Sequence, residues 1–402
     1  MSPPLISRSP DLQRLVDDGY AVAVIGGYLV VSDVPYVDRN RRVRKGALVC
    51  HLALAGDRTV RPSDHQAWFQ GDRPCDVHGR PLTEMVHADV ARDLGHGIHV
   101  DHLLCSKPIG GEFADFHVKM VTFAQQLASP AQAINPAATA RTGHLVADER
   151  LGSSFHYADT AAARAGIVSY ADRVRDQCIG IVGLGGSGSY VLDLVSKTPV
   201  RMIHLFDNDA FLQHNAFRAP GAPDAETLRL QPSKVAHFDR IYSRMHRGIV
   251  PHEIRLGPST LRLLDGLSFV FLCLDGTRDR HAIAVHLQRS GVPFVDVGMG
   301  LYATERGIGG TIRVTTAVHD QQSRIWERNR LPLSDAGADD IYASNVQVAE
   351  LNALTATLAV IRWKKLFGFY ADFEHERFSA YCIDGNLLIN EDQVPDEPSR
   401  ND

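Results

Sequence analysis

Long apolar runs, paired cysteines and internal repeats are what this chain of 402 residues lacks. With no apolar stretch of about 20 residues, it offers no candidate membrane helix. The first residues, Met1-Ser-Pro-Pro-Leu-Ile-Ser-Arg8, lack a charged leader followed by an apolar core, which argues against a secretory signal. The six cysteines (Cys50, Cys75, Cys105, Cys178, Cys273 and Cys382) are scattered, and no two form a C-x-x-C pair. Cys178 and Cys273 fall in apolar, strand-like runs, as reduced and packed thiols do. The net charge of -5 gives no general attraction to nucleic acid or to an anionic membrane, and leaves room only for a local basic patch. These absences predict a soluble cytoplasmic protein with neither a nucleic-acid nor a membrane partner.

What is present divides in two. Residues 1–145 read as a small α+β domain of unknown activity, opened by a short helix over Asp11–Asp17. Strands follow at Ala21–Ile25 and Tyr28–Val31, with Gly26-Gly27 between them as a hairpin signal. Further strands are expected near Ala47–Leu54 and Gln66–Phe69, and a helix over Phe116–Leu127. The Ala-, Pro- and Thr-rich stretch Ala128–Leu145 reads as a boundary. Residues 150–392 alternate apolar strands (Ile179–Val182, Met202–Phe206, Ile249–Ile254, Phe269–Leu274, Pro293–Val297) with helices (Tyr190–Lys197, Ser233–His246, Asp279–Ser290). That alternation predicts an α/β fold, a doubly wound, mostly parallel, Rossmann-like sheet with helices on both faces. A strand at Thr311–Thr315, a helix over Val346–Trp363 and a hairpin at Tyr381–Ile389 complete it, and residues 393–402 read as a flexible tail.

His96, His99, His102 and Cys105 are spaced by three, a pattern that clasps a metal only on a helix. Gly95, Gly97 and the Ile98/Val100 pair oppose a helix there. In a strand a three-residue step alternates faces and scatters the ligands.

The chemistry centres on Ile179-Gly-Ile-Val-Gly-Leu-Gly-Gly-Ser-Gly-Ser189. A strand running into Gly183, Gly185, Gly186 and Gly188, with a helix straight after, makes an anion site. Glycine admits close backbone approach, and the first helical amides face the charge. A ligand-free tight turn and a dinucleotide or ATP cradle both fit that pattern alone. Asp207, at the end of the next strand, stands where a carboxylate reaches ribose hydroxyls. Beyond it lie Asp209, Asn215, Arg218 and Lys234, the last opening a helix, and then Asp275 at a strand end with Arg280 five later. Singly, each has a bland reading, as a surface cation, a residue behind an N-cap, or a turn aspartate.

Together, in this order, G-x-G-G-x-G-S, D-x-D, N-x-x-R, a helix-opening lysine and an aspartate with an arginine five later resemble the ThiF/MoeB/HesA adenylyltransferases, which share their fold with ubiquitin-activating enzymes. The resemblance covers about residues 155–390. It implies ATP-dependent adenylation of the C-terminal carboxylate of a ubiquitin-like or sulfur-carrier protein ending in glycine. Arg218 and Lys234 would contact the triphosphate, Asn215 would help hold it, and Asp207 would hold the ribose. Asp209 would shape the loop, Asp275 would bind Mg²⁺, and Gly183, Gly185, Gly186 and Gly188 would line the phosphates. A homodimer and a conjugating-enzyme-like partner are implied as well.

The chain departs from the family in lacking the two C-x-x-C pairs that bind zinc in many members, so no zinc is expected. Cys382 is the only cysteine after Asp275, and its apolar setting suits a packed thiol better than a thioester nucleophile. Sequence does not single out an arginine donated by a second subunit. A nicotinamide-dependent oxidoreductase and a catalytically dead ThiF-type scaffold are the rival readings. The first leaves Asn215, Arg218, Lys234 and Asp275 without a shared purpose.

Overall fold

The computed structural model describes residues 4–108, 110–144, 153–274, 277–318, 330–331 and 346–391. Among them, two compact units divide at Asp172. The stretch Ala128–Leu145, expected as a boundary, lies within the first unit as far as residue 144, while residues 145–150 and the expected tail fall outside the described residues; residues 153–172 pack within the first unit.

In the first unit two short helices, α1 (Pro4–Arg8) and α2 (Pro10–Asp17), precede a meander of β1 (Ala21–Ile25), β2 (Tyr28–Val37) and β3 (Val43–His51). A small two-stranded ladder, β4 (Leu54–Ala55) with β5 (Arg58–Thr59), leads to β6 (Gln66–Gln70), β7 (Val86–Asp93) and β8 (His99–Cys105). The main sheet runs β1-β2-β3-β6-β8-β7, with antiparallel neighbours throughout. Helix α3 (Phe116–Ile134) lays Phe116, Met120, Phe123 and Leu127 on one sheet face with Leu29, Val31 and Leu48. Its start is fixed by Asp115, whose Oδ1 accepts the Val118 N–H at 2.9 Å. The helix passes Pro130 and ends seven residues beyond the Leu127 expected from sequence. The other face packs on Leu94, Ile98, α4 (Thr160–Ala165) and α5 (Val168–Ala171) through Ala163 and Val168.

Strands β7 and β8 were not foreseen, because charged β7 shows only weak alternation. They decide the histidine question. His99 and His102 lie in strand β8, and His96 sits in a left-handed turn with φ 53°. His102 instead pairs with Asp89 across the ladder at 2.8 Å. Among the described residues no group of three His, Cys, Asp or Glu side chains is arranged around a metal position.

The second unit begins its sheet with β9 (Cys178–Val182), followed by α6 (Gly186–Val195) and β10 (Met202–Phe206). Short helices α7 (Gln213–Ala216) and α8 (Ala225–Leu230) precede α9 (Lys234–Tyr242), β11 (Ile249–His252), β12 (Phe269–Leu272) and α10 (Thr277–Ser290). The hairpin β13 (Phe294–Thr304) and β14 (Gly307–Ala317), helix α11 (Ala349–Leu366) and the hairpin β15 (Phe378–Cys382) and β16 (Leu387–Glu391) close it. The order is β11-β10-β9-β12-β13-β14-β15-β16, parallel from β11 to β13 and antiparallel from there. The fold is therefore the expected α/β class with a mostly parallel sheet. Strand order reverses at β9, with β10 on one side and β12 on the other. A crevice at the carboxyl ends of such strands is where open α/β sheets hold ligands. No helix among the described residues is long and apolar enough to cross a membrane.

Candidate functional site

The glycine turn occupies that switch point. Gly183, with φ 88°, ends β9 and donates its N–H to the Phe206 carbonyl at 2.9 Å. A Cβ there would lie 2.7 Å from the Cys273 carbonyl oxygen, so this turn and the end of β12 touch through backbone. At Gly188 a Cβ would lie 1.8 Å from the Gly183 carbonyl oxygen. These two glycines close the turn tightly. Gly185 differs, because a Cβ there would meet nothing within 4 Å. It is the N-cap of α6, and no side chain caps the first amides of that helix. Uncapped amides beside open space form a ready anion cradle.

Gly186 has a third role. Helix α11 presses Asn352 against it, and a Cβ at Gly186 would lie 2.2 Å from the Asn352 amide nitrogen. Asn352 is 1% exposed, accepts the Ser187 hydroxyl at 2.8 Å and donates to the Val348 carbonyl at 3.1 Å. The start of α6 is thus tied to a helix 165 residues away in sequence.

Asp207 joins the turn to the end of β10. Its Oδ2 accepts the Leu184 N–H at 2.7 Å and its Oδ1 accepts the Asp209 N–H at 2.8 Å. Lys234 Nζ lies 3.5 Å from Asp207 Oδ2 and donates to Asp209 Oδ2 at 2.6 Å. Lys234 and Asp207 are nine-tenths buried, whereas the Asp209 side chain is 65% exposed. The lysine reaches this position because Ser233 caps α9 and the Lys234 N–H donates to the Asp209 carbonyl. Phe211, Val235 and Phe238 pack beneath it.

The loop after Asp209 brings two further donors. Asn215 is buried, and its Oδ1 accepts the Leu212 N–H at 2.8 Å. The Asn215 amide nitrogen and Arg218 Nε are both buried without a hydrogen-bond partner. Buried donors without acceptors are uncommon and costly. Here two of them lie in the segment between Asp209 and the buried Lys234 ammonium, a donor set that fits a polyanion.

The structure therefore brings Gly183, Gly185, Gly186, Gly188, Asp207, Asp209 and Lys234 together through direct contacts, with Asn215 and Arg218 on the loop between Asp209 and Lys234. Asp275 lies outside the described residues, so its expected place on Mg²⁺ is untested by the geometry. Cys273, before it, is half-buried.

Sequence reading missed a buried charge cluster in the same unit. Asp296, fully buried in β13 opposite Leu272, lies 3.1 Å from Arg280 Nε and 2.8 Å from an Arg313 guanidinium nitrogen. Arg280 also donates to the Leu274 carbonyl, and Arg313 to the Arg330 carbonyl at 2.8 Å. The signal was present: an aspartate inside Val295-Asp-Val297 and an arginine inside Ile312-Arg-Val314 interrupt apolar strands. Asn352, in contrast, carries no local signal, since an asparagine in a helix is ordinary.

Comparison with known proteins divides the chain similarly. Residues 10–160 match a domain of unknown function (DUF6791), and residues 159–336 match the ThiF family. Ubiquitin-like modifier-activating enzyme 5 of Oryza sativa subsp. japonica is 25% identical over 194 residues, 45% of this chain and 45% of that protein. The chain thus spans less than half the length of that curated relative. Among solved structures, PaaA is 16% identical with a TM-score of 0.44, over 56% of this chain and 75% of its own. E. coli MccB with ATP is 14% identical with a TM-score of 0.45, over 58% of this chain and 71% of its own. Residues 159–336 thus match the ThiF family, and they follow an N-terminal stretch that matches a domain of unknown function.

Proposed function

We propose that the ThiF-family domain is an adenylyltransferase that activates the C-terminal carboxylate of a protein or peptide with ATP. The observation that carries this reading is a set of buried donors, Lys234 Nζ at the start of α9 and the unpartnered Asn215 Nδ2 and Arg218 Nε in the segment before it, together with an uncapped glycine turn. A triphosphate supplies acceptors for all of them; a nicotinamide dinucleotide leaves most without a role.

In the proposed step a carboxylate oxygen attacks the α-phosphorus of ATP. The acyl–phosphate bond forms as the bond to the β-phosphate oxygen breaks, and pyrophosphate leaves with that electron pair. The nucleophile is already ionised, so no general base is needed. Both reactants are anions, and catalysis rests on positioning and charge neutralisation. The amides of α6 and the Arg218 fork would bind phosphate oxygens, and Lys234 would move from Asp209 onto the triphosphate. Asp207, already ordered by Leu184 and Asp209, would orient the ribose. Mg²⁺, which on the family resemblance Asp275 would hold, neutralises triphosphate charge when bound.

A ubiquitin-like or sulfur-carrier protein ending in glycine is the substrate we favour, supported by the activating-enzyme relative. Homodimerisation, a conjugating-enzyme-like partner and a cytoplasmic setting belong to the same proposal. ATP with Mg²⁺ should raise the melting temperature by several degrees at saturating concentration while NAD leaves it unchanged. Stabilisation by NAD and not by ATP would replace this reading with the oxidoreductase.

A further inference from the structure

Two loops of the first unit are built alike. In the turn joining β2 to β3, Asp38 Oδ1 accepts the N–H groups of Asn40 and Arg42, both at 2.8 Å. Asp38 N–H donates to the Arg42 carbonyl, Arg41 N–H donates to the Asp38 carbonyl, and Arg41 takes φ 62°. In the loop after Cys75, Asp76 Oδ1 accepts the N–H groups of His78 and Arg80 at 2.8 and 2.9 Å. Asp76 N–H donates to the Arg80 carbonyl, Gly79 N–H to the Asp76 carbonyl, and Gly79 takes φ 81°. Each aspartate also holds one arginine, Arg44 in the first turn and Arg80 in the second.

The two turns are stacked. The Cys75 N–H donates to the Val37 carbonyl at 2.9 Å, just before each turn. A Cβ at Gly79 would lie 2.7 Å from the Arg39 carbonyl oxygen, so only glycine lets the loops approach this closely. The result is a rigid edge on which Arg39, Arg41, Arg42, Arg44, Lys45, His78 and Arg80 are exposed. Asp38 and Asp76 are consumed in holding backbone amides. The side chains of Arg39, Arg41 and Arg42 have no ion-pair partner among the described residues. Arg44, Lys45 and Arg80 pair with Asp38, Asp33 and Asp76, so on a chain of net charge -5 it is Arg39, Arg41 and Arg42 that concentrate positive potential at one place.

We infer that these twin turns form a docking surface for an acidic segment of a partner protein. Two observations favour a carboxylate-rich segment over nucleic acid. Tyr36 and Phe69 in the adjoining strands are buried, so neither ring is offered to a base, and His78 is the exposed ring among the residues of the edge. Exposed Asp72 and the Arg73–Asp89 pair bound the basic edge, so it is short, which suits a short acidic segment better than an extended phosphate backbone. The free cations are arginines, whose planar forks pair two-point with carboxylates as they do with phosphates, and the turns fix their backbones in advance.

The test uses the whole chain and a fluorescein-labelled polyglutamate peptide, read by anisotropy, with an oligothymidylate of equal charge as comparator. The triple variant R39Q/R41N/R42Q keeps a residue tolerant of φ > 0 at position 41. The peptide should bind, and the variant should weaken it by about tenfold or more, as should raising salt from about 50 to about 300 mM. A lower melting temperature in the variant shifts the decision to R42Q alone, for which a two- to threefold loss is expected, about the effect of one exposed charge pair. No peptide binding, binding unchanged in these variants, or tighter binding of the oligothymidylate would overturn the assignment.

Discussion

Lys234 Nζ stands 2.6 Å from Asp209 Oδ2, a buried ammonium on an exposed carboxylate. The pair is asymmetric in consequence. Asp209 has water on its far side and loses little if the lysine turns away, whereas the lysine, once turned, needs another anion. Asp207, at 3.5 Å, is held in place by two backbone amides and stays behind. Lys234→Met should therefore cost about 100-fold or more in adenylation, the scale seen when one electrostatic donor is removed. Asp209→Asn should instead change nucleotide affinity by less than about tenfold, since an exposed ion pair contributes little. Steady-state rates for both, with ATP varied, check the order of the two effects.

The glycines separate fold from ligand. Gly188→Ala puts a methyl group 1.8 Å from the Gly183 carbonyl oxygen and should yield unfolded or insoluble protein. Gly185→Ala meets no atom within 4 Å, has φ -71°, and should melt within about 2 °C of the parent. If the first turn of α6 receives phosphate, Gly185→Ala should still weaken ATP binding by about tenfold or more, because a methyl would stand in the ligand's approach. Calorimetric titration of Gly185→Ala with the nucleotide is the check.

Asp296 is a structural liability unless both arginines remain. Removing one partner of a buried pair typically costs about 3–5 kcal/mol. Arg280→Met should thus lower the melting temperature by roughly 10 °C in a unit of this size, and Arg313→Met similarly. A shift below about 2 °C would mean that the cluster contributes little to holding β12, β13 and β14 in register.

Stability should also fall with acid in a definable window. His204 Nδ1 and His252 Nε2 lie 3.0 Å apart on neighbouring strands, with the Phe206 ring stacked 4.6 Å from His252. Burial pushes both rings below the ordinary 6.5, and for His204 the neighbouring histidine adds to it. The unfolded chain then binds more protons than the folded one between 6.5 and the depressed values, so stability rises with pH in that window. Their contribution is complete above 6.5 and is lost as the pH falls below it. Melting temperature should drop between about pH 7 and pH 5, and H204F/H252F should flatten that slope. An unchanged slope would assign the acid sensitivity to other groups, such as buried His237, also held below its ordinary value by burial.

The second unit was legible because its strands are short, apolar and separated by helices of opposite period. Met202–Phe206 was read to the residue, and the end of β9 was marked by glycines. Asp207, Asp209 and Lys234 were legible as a set because each terminates or opens an element of a parallel sheet. The first unit was harder. A meander whose edge strand carries His87, Asp89, Arg92 and Asp93 has no clean alternation, so β7 was invisible. The Ala-, Pro- and Thr-rich stretch from Ala128 reads as a boundary, yet α3 continues past Pro130 with Leu127, Ala128 and Ala131 buried. Asn352 makes a long-range contact that leaves no periodic trace, whereas the Arg280–Asp296–Arg313 cluster shows in the sequence only as charges interrupting apolar strands.

Pyrophosphate exchange decides the central claim. The protein is mixed with Mg²⁺, ATP, labelled pyrophosphate and ubiquitin-like or sulfur-carrier proteins ending in glycine, and label entering ATP is counted. Exchange that requires both the carrier and its free terminal carboxylate, and that disappears in Lys234→Met and Asp275→Ala, is the result predicted. Folded protein that binds ATP but exchanges no label with any such carrier or peptide would contradict adenylation and leave a nucleotide-binding scaffold in its place.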